Sequence, residues 1–261
     1  MIKRLISGSI LLPLSITAVL YSNESLLILT ILISGGLIFE LSRVFYPNNY
    51  HLIWPIGTPL IAYVLYTCQH PLAFQITQHP LCMILCLTFL SLCIYETRQK
   101  KLLFKNWHLF NATRILGILL LFGPFALLLN TFQNGKSLIV LFGLIIAMSD
   151  IGAYFIGKKW GKRPLSPLSP KKTIEGSIGG LIGAILTGLI GASILNLPII
   201  NALTWSIIIN IFAQFGDLYE SLIKREYKIK DISNLIPGHG GIYDRCDSYI
   251  FVFPAMYYIL L

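Results

Sequence analysis

The amino-acid sequence predicts an all-α polytopic integral membrane protein of about nine transmembrane helices, with the N-terminus cytoplasmic and the C-terminus on the opposite side. Three observations lead there. Of 261 residues, 55% are hydrophobic and only 12% charged, against about 25% charged in an ordinary soluble domain. Mean hydropathy is +0.73, so a water-soluble globule is excluded: so few charges cannot cover its surface. The apolar runs approach the roughly 20 residues that a bilayer-crossing helix needs. Finally, the basic residues sort to one side once those runs are treated as spans, as the positive-inside rule requires.

The spans fall near 5–21, 25–45, 52–68, 80–95, 114–130, 137–156, 177–195, 198–222 and 248–261, the third, fourth and ninth being short or weak. With the N-terminus inside, every Lys and Arg except Lys136 lies on the inner face. Losing one span would mix the two sides. The first span follows the basic pair Lys3 and Arg4 and reads as a retained helix, since no small-x-small cleavage site follows it. The second carries Glu40 and Arg43, three apart, which are expected to pair or to face the bundle interior. Cys68, Cys82, Cys86 and Cys93 lie in or at the ends of the third and fourth spans, where free thiols pack as small hydrophobes. His51, His70 and His79 lie near interfaces without metal-ligand spacing. Glu96 to Lys105 reads as a solvated basic loop. No long soluble segment interrupts the pattern, so the chain is expected to form one integral domain: residues 1–135 mainly scaffold, 136–261 catalytic.

The sixth span contains Ser149-Asp150, a carboxylate inside an apolar segment and therefore a functional candidate. Beyond it, Gly157 to Pro164 and Ser169 to Gly176 form a loop rich in Pro, Gly, Lys and hydroxyls, with Lys171, Lys172 and Thr173 at its centre. Such a loop supplies many donors and few acceptors, which suits phosphate. The seventh span repeats glycine at spacing four, Gly176 with Gly180 and Gly179 with Gly183, a pattern for close helix packing. At the end of the eighth, Asp217, Glu220, Ser221 and Lys224 share one helix face and form a polar stripe that must meet protein or water.

The loop from Glu226 to Ser248 brings His239 and the flexible Gly238, Gly240 and Gly241, whose backbone N–H groups can approach an anion. Asp244 and Asp247, three apart, share a face as the ninth span begins. Eight of the 11 acidic residues lie from Asp150 onward, interleaved with basic ones. Carboxylates repel an anion, so the mixture makes sense where a divalent cation bridges carboxylate and phosphate. Hard oxygen donors favour magnesium over zinc.

These residues resemble the signature of the phosphatidate cytidylyltransferases, or CDP-diacylglycerol synthases. Ser221, Lys224, Arg225, Lys230, Asp231, Pro237, His239, Gly240, Gly241, Asp244, Arg245 and Asp247 occupy its fixed positions. Cys246 stands where that family usually has an apolar residue. Gly216-Asp217 with Glu220, the 169–176 segment and Ser149-Asp150 are also similar to the family. The resemblance covers about 149–250; elsewhere it rests on hydropathy and length. It implies magnesium-dependent transfer of CMP from CTP to phosphatidate, giving CDP-diacylglycerol and pyrophosphate at the cytoplasmic face of the inner (plasma) membrane. By that resemblance Asp217 and Asp244 hold the catalytic metal, and we add Asp247 as a further ligand or orienting carboxylate. Lys171, Lys172, Lys224, Arg225 and Arg245 bind the phosphates of the two substrates, and His239 with Gly240 and Gly241 positions one of them. Thr173, Ser221 and Asp150 complete the expected substrate-binding set. The resemblance also implies a homodimer; membrane lipids are expected partners and nucleic acid is not, and the sequence leaves a second cation open. Two other readings are a CTP-dependent kinase of a polyprenol or phytol alcohol, which would release CDP, and a transporter. A transporter predicts charges at the bilayer midplane and an internal repeat, neither of which the sequence has.

Overall fold

The computed structural model describes residues 13–47, 80–103, 108–236 and 240–261. The expected third span, with Cys68, His51, His70 and His79, lies outside the described residues, as does His239. Residues 13–21 are helical, and seven longer helices follow. Helix α1 (Asn23–Phe45) begins at a reciprocal cap in which Ser22 and Ser25 exchange backbone-to-hydroxyl hydrogen bonds of 3.0 Å. Helix α2 (Pro80–Gln99) opens on proline, which tolerates a first helical position because that N–H has no intrahelical acceptor. Helices α3 (His108–Leu129) and α4 (Gly135–Trp160) come next. A two-stranded antiparallel hairpin, β1 (Pro164–Ser166) and β2 (Ser169–Thr173), interrupts the helical run. Helix α5 (Ile174–Leu195) is capped by the Thr173 hydroxyl and stops at Asn196, whose left-handed φ of 54° ends the helix. Helices α6 (Ile199–Glu226) and α7 (Tyr243–Leu260) complete the chain.

Five of these are long and apolar enough to cross a membrane: α1, residues 111–129 of α3, α4, α5 and α6. The chain is thus a predominantly helical, multi-pass membrane protein. Along α5, Ile178, Ile182, Leu186, Ile190 and Ile194 are all exposed at a spacing of four, an apolar stripe of the kind that faces acyl chains. The opposite face of α5 is glycine. A methyl group on Gly180 or Gly183 would fall within 2.9 Å or 2.5 Å of the Ser149 or Met148 backbone carbonyl of α4, so the two helices lie in backbone contact. On the other side of the bundle α3 packs against α7 through Phe125 and Tyr257, whose ring centroids are 5.3 Å apart.

Glu40 is buried inside the bundle, as expected, but Glu96 does not belong to a solvated loop: it is fully buried and ion-paired with buried Arg114 between α2 and α3. Arg114 also donates to Asn111 Oδ1 at 2.7 Å and to the Leu103 carbonyl, while Glu96 accepts from the Leu103 amide at 2.8 Å and the Tyr219 hydroxyl at 3.1 Å. The two charges are tolerated there because they offset each other and gather hydrogen bonds from their surroundings. Glu40 is fully buried in α1 and takes its hydrogen bonds from the segment preceding α7.

Candidate active site

Gly216 explains where the site forms. A Cβ on it would meet the Asp247 carbonyl carbon at 2.9 Å and the Ser248 Cα at 3.0 Å, so α6 and α7 cross in direct backbone contact. That crossing brings Asp217, the next residue of α6, against the first turns of α7. The Asp217 carboxylate accepts from Ser248 Oγ at 3.3 Å and hydrogen-bonds with the carboxyl group of Asp247, which is buried. Lys172 reaches across from β2 to form an ion pair with Asp217. In a strand successive side chains point to opposite faces. Lys171 accordingly stands exposed, without an ion pair among the described residues.

One turn further along α6, Lys224 Nζ lies 2.6 Å from Glu220 Oε1 and 3.0 Å from Asp244 Oδ1, bridging α6 to α7. Asp244 also accepts the backbone N–H of Gly241 at 2.8 Å and of Ile232 at 3.2 Å, closing the loop onto the helix it starts. Asp244 lies ahead of the expected ninth span. Burial disfavours its charged form, but the hydrogen bond it shares with the Glu220 carboxyl and those it accepts from the Gly241 amide and Lys224 outweigh that and hold its carboxyl below the ordinary carboxylate range. Gly240 has a φ of 84°, and a Cβ there would approach Asp244 Oδ2 to 2.5 Å, so this turn admits only glycine. Its carbonyl accepts the Ile236 amide at 2.9 Å.

The remaining expected residues surround this pair of clusters. Asp150, on α4, is exposed and within electrostatic reach of Asp217, Lys172 and Arg245. Arg245 projects from the first turn of α7. Arg225 donates to the Leu168 carbonyl of the hairpin turn at 3.5 Å. Thr173 spends its hydroxyl on the Gly176 amide at 3.1 Å, capping α5 and so fixing where β2 and its lysines end. Ser221 is half-buried on the inner stripe of α6. Thus Asp150, Lys172, Asp217, Asp247 and Arg245 form one group, and Glu220, Lys224, Asp244 and Gly241 a second beside it.

The sequence reading did not single out the support beneath these groups. Asn210 Oδ1 accepts from Ser149 Oγ at 2.8 Å and from Gln214 Nε2 at 2.9 Å, and Ser177 Oγ bonds to Gln214 Oε1 at 2.5 Å. The ladder locks α4, α5 and α6 together at the level of Asp217. Its signal was present: Asn210 and Gln214 lie seven and three residues before Asp217, on the same helical face.

Among the described residues, no three His, Cys, Asp or Glu side chains form a closed metal cage. Magnesium does not ask for one, since it commonly takes one or two carboxylates and completes its octahedron with water and substrate phosphates. Two acidic side chains packed against each other, Asp217 and buried Asp247, offer that donor set.

Comparison with known proteins agrees with the motifs. The chain shares 45% identity over 134 residues with a phosphatidate cytidylyltransferase of Bacillus subtilis, a match covering 50% of each chain. It shares 45% over 134 residues with that of Synechocystis, covering 51% of this chain and 46% of the relative. With a Helicobacter pylori protein of the same name it shares 43% over 118 residues, 45% of this chain and 44% of the relative. The chain spans about half the length of the curated relatives it matches. The sequence pattern of the cytidylyltransferase family, by contrast, extends over residues 2–261, and the chain therefore belongs to the cytidylyltransferase family.

Proposed function

We propose that the protein is a phosphatidate cytidylyltransferase that transfers CMP from CTP to phosphatidate in phospholipid biosynthesis. The observation that carries this reading is the interleaving of carboxylates and lysines where α6, α7 and the hairpin meet, with Lys172 on Asp217 and Lys224 between Glu220 and Asp244. A phosphate oxygen of phosphatidate attacks the α-phosphorus of CTP. The bond from that phosphorus to the bridging oxygen breaks, and pyrophosphate leaves. A phosphomonoester is already largely dianionic near neutral pH, its second pKa being about 6, so the reaction needs no strong general base. The barrier is the meeting of two polyanions, and positioning with charge neutralisation is what the site must supply.

Each residue has a role in that task. Lys171 and Lys172 receive the triphosphate, with Thr173 fixing the strand that carries them. Lys224, Arg225 and Arg245 hold the phosphate of phosphatidate, helped by Ser221, with the Gly240-Gly241 turn and His239 positioning it. Asp150 orients Arg245 and Lys172. Asp217, with Asp247 packed beside it as a further ligand or orienting carboxylate, would hold magnesium, and Asp244 would join from the neighbouring group. Magnesium when bound would neutralise phosphate charge and polarise the phosphorus–oxygen bonds. The substrates come from opposite phases, CTP from the cytoplasm and phosphatidate from the leaflet, which places the site at the cytoplasmic face of the inner membrane. The same reading keeps nine spans with the N-terminus inside, and a homodimer.

The test is pyrophosphate release by the purified protein in mixed micelles of detergent and phosphatidate. Release is expected only when CTP, phosphatidate and magnesium are all present. Release without phosphatidate, or none under any combination, would refute the proposal.

A further inference from the structure

Helix α7 has no side-chain cap of its own: Ile242 occupies the capping position and supplies no acceptor. The first N–H groups of a helix must still find partners, above all where they are buried. They find them in the N-terminal half of the chain. Glu40 Oε1 accepts the Ile242 amide at 2.8 Å and the Ser233 hydroxyl at 2.6 Å, and Glu40 Oε2 accepts the Tyr243 amide at 2.8 Å. Both Glu40 and Tyr243 are fully buried. A Cβ on Gly241 would fall 2.7 Å from Glu40 Oε2, and α1 presents Gly36 directly beneath the Ile242 side chain, so no other side chain fits between the two elements.

We infer that Glu40 is a positioning residue for the reaction: a carboxylate lent by α1 that caps α7 and sets the register of the turn carrying Gly240, Gly241, Asp244 and Arg245. Its negative charge sits where the helix dipole is positive, and its three charge-assisted hydrogen bonds span the segment from Ser233 to Tyr243. Asp244 holds the same turn from the other side through Gly241 and Ile232. The two carboxylates thus hold the start of α7 from both sides. The scaffold half of the chain thereby enters the active site without touching substrate. The kinetic part of this inference rests on the cytidylyltransferase reading above; the capping part does not.

The experiment compares wild type, Glu40→Gln and Glu40→Asp as full-length protein in lipid nanodiscs. Amide hydrogen exchange at Ile242 and Tyr243 should accelerate about tenfold or more in Glu40→Gln, the scale expected for losing a hydrogen bond to a charged acceptor. Exchange in α5, which does not touch Glu40, should stay unchanged. In the transferase assay kcat should fall about tenfold to a hundredfold, because a small misplacement of Asp244 and Arg245 spoils alignment. KM for CTP should move little, since Lys171 and Lys172 sit on the hairpin. Glu40→Asp, which keeps the charge on a shorter stem, should recover part of both effects. Unchanged exchange at Ile242 and Tyr243, or acceleration shared equally with α5, would overturn the inference, as would kcat and KM changing together without rescue by Asp. If Glu40→Gln does not fold, Glu40→Asp decides by the same criteria. An inactive wild type would count against the cytidylyltransferase reading alone, because the exchange measurement needs no turnover.

Discussion

Replacing Arg114 by methionine removes one half of a fully buried ion pair and leaves Glu96 charged in an apolar setting. Glu96 would keep the Leu103 amide and the Tyr219 hydroxyl as donors, but not the guanidinium that balances its charge, and Asn111 Oδ1 and the Leu103 carbonyl would each lose a donor. Breaking a buried pair from one side costs about 3–5 kcal/mol. At roughly 2–4 °C per kcal/mol for a chain of this size, the midpoint of thermal unfolding should fall by roughly 6–20 °C. Removing both charges, in Glu96→Gln with Arg114→Met, should restore most of the loss, because matched neutral groups carry no stranded charge. The assay is thermal unfolding in detergent of the wild type, both single variants and the double variant. A single variant as stable as wild type, or a double variant no more stable than Arg114→Met, would refute the reasoning that the pair is buried and mutually dependent.

Three further outcomes follow from the site. Asp217→Asn should lower turnover at least about a hundredfold while leaving the unfolding midpoint near that of wild type, since it removes a charge facing Lys172 and the reacting phosphates; substantial magnesium-dependent turnover would show that Asp217 is dispensable. Gly216→Ala should cost about 1–3 kcal/mol of stability and most activity, because the added methyl forces α6 away from the Asp247 and Ser248 backbone; differential scanning fluorimetry beside the activity assay reads both. Lys171→Ala should raise KM for CTP about tenfold with kcat nearly kept, the behaviour of a side chain that binds phosphate in ground and transition state alike; a loss confined to kcat would contradict that role.

Much of the architecture was legible because hydropathy reads burial in lipid directly. Seven of the expected spans coincide with helices α1 to α7, five of them long and apolar enough to cross a membrane, and the glycine repeat of the seventh span meets α4 as close packing demands. The residues that carry charge in the C-terminal half also converge, since a carboxylate in an apolar helix has few places to go. What was not legible is who meets whom. Lys172 and Asp217 are 45 positions apart, and Glu40 and Tyr243 are 203 apart; no local periodicity links such pairs. Glu96 lies beside a run of lysines and so resembled a wet loop, although Lys100 and Lys101 are exposed and Glu96 is buried. The hairpin at 164–173 was hidden for the opposite reason, because its prolines and glycine-bounded ends read only as absence of helix.

Whether this site moves a cytidylyl group is read by following the two ends of CTP. Purified protein is incubated with phosphatidate and magnesium, once with CTP labelled at the α-phosphorus and once with the label at the γ-phosphorus. Cytidylyl transfer predicts α-label in the lipid fraction and γ-label in pyrophosphate. Lipid carrying γ-label with release of CDP would identify a kinase instead, and label in neither lipid nor pyrophosphate would contradict nucleotidyl transfer altogether.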